Sequence, residues 1–171
     1  MTYRTKTYIA GDWDGDRDAI NQLHKWNDSN YWSLSFTDAH DITQANDTSL
    51  NCSIKKSLAL RMDASKTFVL IVGDNTINLR SGSCSYCGSY IGYSHSCSRG
   101  YQTSLKSYIE YECDKAVRDG LKITVLYNST IVRKNKCPEI LRDRGYHAPM
   151  QKWEGNKLYW DYQAVKDALE A

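Results

Sequence analysis

A chain of 171 residues with 25% charged and 41% hydrophobic side chains has the balance of one soluble domain around one core. Its 22 basic and 20 acidic side chains leave a formal charge of +2, spread along the chain. That distribution excludes a nucleic-acid footprint and a polybasic membrane anchor, and the longest apolar run, Phe68 to Val72, is far too short to span a bilayer.

Strand-like and helical patterns alternate from the start. Thr7 to Ala10 reads as a brief strand that exits into the acidic turn Gly11-Asp12-Trp13-Asp14-Gly15-Asp16. Ile20, Leu23 and Trp26 follow at helical spacing. Trp32 to Phe36 reads as a second strand, leading into Thr37-Asp38-Ala39-His40-Asp41. Leu50, Ile54 and Leu58 predict a second helix, with Asp47 or Thr48 available to cap it. Lys66 to Val72 is rich in β-branched residues and continuously apolar from Phe68, as a strand covered on both faces must be. Later come a helix over Leu105 to Asp119, a buried strand over Leu121 to Leu126 and a short helix over Pro138 to Arg144. An edge strand over Tyr146 to Lys152 and an amphipathic helix over Tyr159 to Leu169 complete the series.

This alternation implies right-handed crossovers and a single three-layer α/β domain over residues 1–171. The expected architecture is flavodoxin-like: a five-stranded parallel sheet of order 2-1-3-4-5 with helices on both faces. No leader-like segment precedes the first strand, so a cytoplasmic protein is expected, with its six cysteines read as thiols or metal ligands before disulfides. A Ser/Gly/Tyr/Cys-rich insertion over about 76–103 interrupts the pattern. A loop of that length in a compact domain has a function or needs a staple.

The chemistry points first to Glu112. On a helical wheel Leu105, Tyr108, Ile109, Cys113 and Ala116 share one side, and Glu110, Asp114 and Arg118 the other. Glu112 falls inside the apolar arc. A carboxylate there needs a partner, a raised pKa or an open cleft, so a structural ion pair and a catalytic acid both fit. Asp12, Trp13 and Asp14 stand at a strand exit where such folds bind ligands, although acidic residues before a helix also serve its dipole. Asp38 and His40 after the second strand, and Asp74 and Asn75 after the third, are further binding candidates; turn formation accounts for them too.

In the insertion, Cys84-Ser85-Tyr86-Cys87 and His95-Ser96-Cys97 supply Cys84, Cys87, His95 and Cys97. These four are candidates for a structural Cys₃His zinc site, with Cys113 a rival ligand that its helix position assigns to the core. A redox pair or plain thiols fit the same spacing. Neither Gly-x-Gly-x-x-Gly nor a P-loop pattern occurs, so no glycine-rich helix start holds pyrophosphate.

The stretch Ser107-Tyr108-Ile109-Glu110-Tyr111-Glu112-Cys113 resembles the TIR segment in which an aromatic residue precedes a helix glutamate by four positions. The resemblance is best to TIR-like domains of the Thoeris antiphage type. It extends to Lys6–Asp16, to Phe36-Thr37-Asp38-Ala39-His40-Asp41, to Lys66–Thr76 and to Cys137-Pro138-Glu139-Ile140-Leu141-Arg142-Asp143. It implies cleavage of NAD at the nicotinamide–ribose bond and cyclisation into an ADP-ribose-type signal read by a downstream effector. Glu112 would be the catalytic residue, with Tyr108, where many relatives have tryptophan, and the strand-exit residues around the substrate. No catalytic cofactor is implied; self-association or a trigger is. Two rivals stand beside this reading: a non-enzymatic TIR-like adaptor, and a phosphorelay receiver with Asp12, Asp14, Asp74, Ser129 or Thr130, and Lys152 in the receiver roles.

Overall fold

The computed structural model describes residues 3–32, 34–39 and 50–171. Four parallel strands form the central sheet in the order β1 (Lys6–Ala10), β2 (Ser65–Val72), β5 (Lys122–Tyr127), β6 (Tyr146–Pro149). Between β1 and β2 run α1 (Arg17–Asp28) and α2 (Asn51–Asp63); α3 (Tyr108–Arg118) connects β2 to β5 after the insertion. Within the insertion, β3 (Tyr90–Ile91) and β4 (Ser96–Cys97) form a short antiparallel hairpin. A second hairpin, β7 (Gln151–Glu154) and β8 (Lys157–Trp160), precedes α4 (Tyr162–Glu170).

Side-chain alternation along the strands divides the core in two. Tyr8, Phe68, Leu70, Val72, Val125 and Tyr127 face α2 and α3, where they meet Met62, Ile109, Cys113 and Ala116. Ile9, Val69, Ile71 and Leu126 face α1 and α4, meeting Ile20, Leu23, Trp26, Val165 and Ala168. Both faces of β2 are therefore covered, which is why its sequence is continuously apolar.

Among the described residues, Trp32 and 34–36, where a fifth strand is expected over Trp32 to Phe36, form no strand. Ser35 has φ +54°, a left-handed conformation that breaks an extended run. Asn27 instead clamps the backbone of Phe36 from both sides, donating to its carbonyl at 2.8 Å and accepting its N–H at 3.0 Å. Among the described residues its contact with the sheet is a parallel bridge from Thr7 to Asp38, made by Thr7 N–H to Thr37 O and Ala39 N–H to Thr7 O. This segment lies at the edge of β1, where the second strand of the order 2-1-3-4-5 belongs, with one bridge in place of a ladder. The expected edge strand over Tyr146 to Lys152 divides likewise. It pairs with β5 only to Pro149, and from Gln151 the chain turns into the β7–β8 hairpin. Pro138 to Arg144 contributes a 3-10 turn over Glu139–Leu141 rather than a helix. The expected caps of α2, Asp47 and Thr48, lie outside the described residues.

Candidate active site

Three elements converge at one end of the sheet. The exit of β1 supplies Gly11 to Asp14, α2 supplies Ile54, Leu58 and Arg61, and the first turns of α3 supply Tyr108, Ile109 and Glu112. Together with Tyr8, His24, Asp38, Leu79 and Ser81 they line a cleft of about 600 Å³. Its size and its mixture of apolar walls with a few polar groups suit a nucleotide-sized ligand.

The start of α3 is fixed by its own sequence. Ser107 accepts the Glu110 N–H at 3.2 Å while Glu110 accepts the Ser107 N–H at 2.9 Å, a reciprocal cap that pins the first turn. The helix therefore begins at Tyr108, three residues later than its apolar period suggests, and Glu112 lies in its second turn, within reach of the cleft.

Glu112 is 6% exposed. Burial pushes its carboxyl up to about 8, against a hydrogen bond from Tyr8 and the nearby Arg61 charge, both of which pull it down. At neutral pH the free site thus holds mostly a protonated carboxyl. The Tyr8 hydroxyl, raised well above its ordinary range by burial and by Glu112, stays protonated and serves as a donor. Lys115 on the same helix is the instructive contrast. It too is buried, but its ammonium is bonded to Asp63 and Asp119 at 2.7 Å each, and it lines no part of the cleft. One buried ionisable group is tied down by ion pairs; the other faces a cavity.

The sequence candidates separate clearly. Asp12, Trp13, Asp14, Asp38, Tyr108 and Glu112 all line the cleft. Asp12 also accepts the Asp14 N–H at 3.2 Å, and Asp14 forms an exposed pair with Arg17 at 3.5 Å. Asp16 precedes α1 yet makes no side-chain cap; it accepts from Asn128 at 2.9 Å instead. Asp38 pairs with His24 at 3.4 Å. Asp74 and Asn75 do not join the cleft: Asp74 is held by Arg133 at 3.0 Å in a separate hollow beside Gly73 and Asn128, and Asn75 opens the 3-10 turn Thr76–Asn78. Lys152, which a receiver needs beside Asp74, pairs with Glu154 at 2.9 Å. His40 lies outside the described residues.

The polar and aromatic cleft residues that the sequence patterns do not single out include Tyr8, His24 and Arg61. Arg61 had a signal, since 54, 58 and 61 fall on one helical face, so an arginine there continues the Ile54–Leu58 stripe. Tyr8 was hidden in an ordinary strand pattern. His24 lies beside Leu23 on the rim of the α1 stripe, with no sequence feature to single it out.

The insertion is organised by turns. Cys84–Tyr86 is a 3-10 turn, and Cys87 follows it before the β3–β4 hairpin. Cys84, Cys87 and Cys97 line one small void, joined there by Cys52 of α2. His95 is not among its lining residues; its Nδ1 is hydrogen-bonded to the Tyr90 hydroxyl at 2.9 Å. Among the described residues no three His, Cys, Asp or Glu side chains are drawn together tightly enough to hold an ion. Cys113 is fully buried in the core.

No helix among the described residues is long and apolar enough to cross a membrane. No curated protein matches the chain. Residues 8–81, which carry the β1 exit, the Asp38 bridge, α2 and β2, match the family model for the TIR-like domain of the Thoeris protein ThsB. Over those residues, a little under half of its length, the chain is similar to a Thoeris-type TIR-like domain.

Proposed function

We propose that this protein cleaves NAD at the nicotinamide–ribose bond, with Glu112 as the catalytic carboxyl, and releases an ADP-ribose-type product used as a signal in antiphage defence. The observation that carries the reading is the opening of a buried glutamate into a nucleotide-sized cleft of a chain similar to a TIR-like domain. In this reaction the C1′–N bond breaks and its electron pair leaves with nicotinamide, which becomes neutral. Positive charge develops on the ribose and is quenched at C1′ by water or by a nitrogen of the adenine. Water then releases its proton to solvent. A carboxylate against the ribose stabilises that cationic state.

The raised Glu112 carboxyl fits this task. The cationic nicotinamide end of NAD favours the ionised form, so substrate binding and deprotonation are coupled. Tyr8 holds the carboxyl in place and Arg61 lies where the phosphates of a dinucleotide meet a buried cation. Tyr108 and Trp13 offer aromatic surfaces for the bases.

The test is NAD turnover by the purified chain, alone and in assembled or phage-triggered form, compared with Glu112→Gln. A loss of roughly 100-fold or more in a folded variant is expected. Turnover equal to that of the parent removes Glu112 from the reaction. A second readout is kcat/KM against pH, which reports the free enzyme. It is expected to rise with pH and level off above about 8 as Glu112 ionises.

A further inference from the structure

We infer that Cys52, Cys84, Cys87 and Cys97 form a structural Cys₄ zinc site that staples the insertion to the N-terminal turn of α2. The four thiols come from three separate pieces of the fold: the second residue of α2, the 3-10 turn with the residue after it, and the second strand of the insertion hairpin. All four line a single void of about 20 Å³, room for one atom-sized occupant. Nothing else in the sequence requires cysteine at four converging places.

The local backbone has the form that a zinc knuckle takes. The Cys87 N–H returns to Cys84 O at 2.9 Å, closing a tight Cys-x-x-Cys turn, and the Tyr90 N–H then reaches Cys87 O at 3.1 Å. Gly88 follows directly, with open space around its Cα. Ser104 N–H donates to the Cys84 sulfur at 3.2 Å, the kind of outer contact that steadies a thiolate ligand. Cys52 stands in the N-terminal turn of a 13-residue helix, and the buried Lys55 lies one turn on. The thiols surround the void without closing to bonding distance. Zinc binding would require the four thiols to lose their protons and their side chains to rotate inward to bonds of roughly 2.3 Å.

The insertion has a physical need for such a staple. Between Ser83 and Ser104 only Ser83 is buried, so hydrophobic burial holds it weakly. The site also connects to the cleft. Asn51, next to Cys52, donates to Ser83 O at 3.0 Å and accepts from the Tyr108 hydroxyl at 3.0 Å. Metal at the four thiols therefore fixes the wall on which Tyr108 stands.

The test needs no catalytic activity and so stands apart from the NAD reading. The full chain, expressed with zinc in the medium, is expected to carry about one zinc per molecule by mass spectrometry of the metal. Replacement by cobalt should give the intense thiolate charge-transfer and visible bands of a tetrahedral tetrathiolate. His95→Ala should retain the metal, while Cys52→Ser should lose it as completely as Cys84→Ser. Should the serine variants fail to fold, the wild-type cobalt spectrum alone decides between four and three sulfur ligands. Metal-free protein from zinc-rich medium, a Cys84–Cys87 disulfide, a three-sulfur spectrum, or loss of metal in His95→Ala with retention in Cys52→Ser would each overturn the assignment.

Discussion

The sheet and the insertion are held together by different physics. In the sheet, Phe68, Leu70, Ile71 and Val125 are entirely shielded from water, and two apolar layers sandwich every residue of β2 beyond Thr67. The insertion has almost no buried apolar surface: Tyr86, Tyr93 and Tyr101 are exposed, and its order comes from turns, a two-residue hairpin and hydrogen bonds. The cleft lies between these regimes. Its floor is the rigid one, with Tyr8 and Glu112, while Leu79 and Ser81 at one rim belong to the insertion. The cleft thus sets a carboxyl held in the packed core against a rim with little apolar burial.

The sharpest way to break this contrast is by truncation on each side. Phe68→Ala, in the stacked Tyr8–Phe68 pair, should destabilise the whole domain by about 3–5 kcal/mol in chemical denaturation. Tyr93→Ala, at a residue 93% exposed, should change stability by less than about 0.5 kcal/mol. Similar losses at the two positions would mean that the insertion shares the core.

Glu112 gives the next largest effect, and its sign follows from the raised carboxyl. Its folded value is about 8, above the ordinary 4.5. Between those values the folded chain keeps a proton that the unfolded chain has released, so this contribution is fully present below the ordinary value. It is lost as pH rises, and is gone above about 8. Glu112→Gln keeps a neutral side chain that Tyr8 can still bond. It should therefore equal wild type in stability below about pH 4.5 and exceed it increasingly as pH rises, on the order of a few kcal/mol above about pH 8. Parallel stability–pH curves for the two proteins would show that Glu112 ionises freely in the fold.

Legibility in the sequence followed the same division. Elements defined by burial were readable: β2 from its unbroken apolar run, α1 from Ile20, Leu23 and Trp26, and Glu112 from its place in the arc of α3. Elements defined by a few specific hydrogen bonds were not. The segment around Phe36 has strand-like composition, but the Asn27 clamp and the left-handed Ser35 decide its path, and both are tertiary facts. Asp74 looked like a cleft residue because it follows a strand, and Arg133 from the far side of β5 holds it elsewhere. Cys52 was unreadable as a companion of the Cys-x-x-Cys because α2 and the insertion are brought together only by folding.

At the seam between the two regimes, Gly82 is buried against Tyr108 and should matter more than the exposed glycines of the insertion. It has φ +95°, and a Cβ there would stand 2.5 Å from the Tyr108 ring. Gly82→Ala combines a left-handed strain with displacement of the ring, a cost of about 1–3 kcal/mol. Its thermal midpoint should fall further than that of Gly92→Ala, where a Cβ meets nothing within 4 Å.

The smallest effect is the most specific, because it concerns the bond that joins the two regions. The Tyr108 hydroxyl donates to Asn51 Oδ1 at 3.0 Å, and the same Asn51 donates to Ser83 O of the insertion. Tyr108→Phe removes one hydrogen bond and no apolar surface, so it should cost about 1 kcal/mol. Asn51→Ala cuts both connections and should cost more. If Asn51 is the link, a double-mutant cycle between the two should give a coupling of at least about 0.5 kcal/mol, since Tyr108→Phe has nothing left to lose once Asn51 is gone. Additive losses would mean that the ring, rather than its hydroxyl, carries the contact. The insertion would then be joined to α3 by the packing of Gly82 on the Tyr108 ring and by the backbone bond from Tyr108 N–H to Ser81 O.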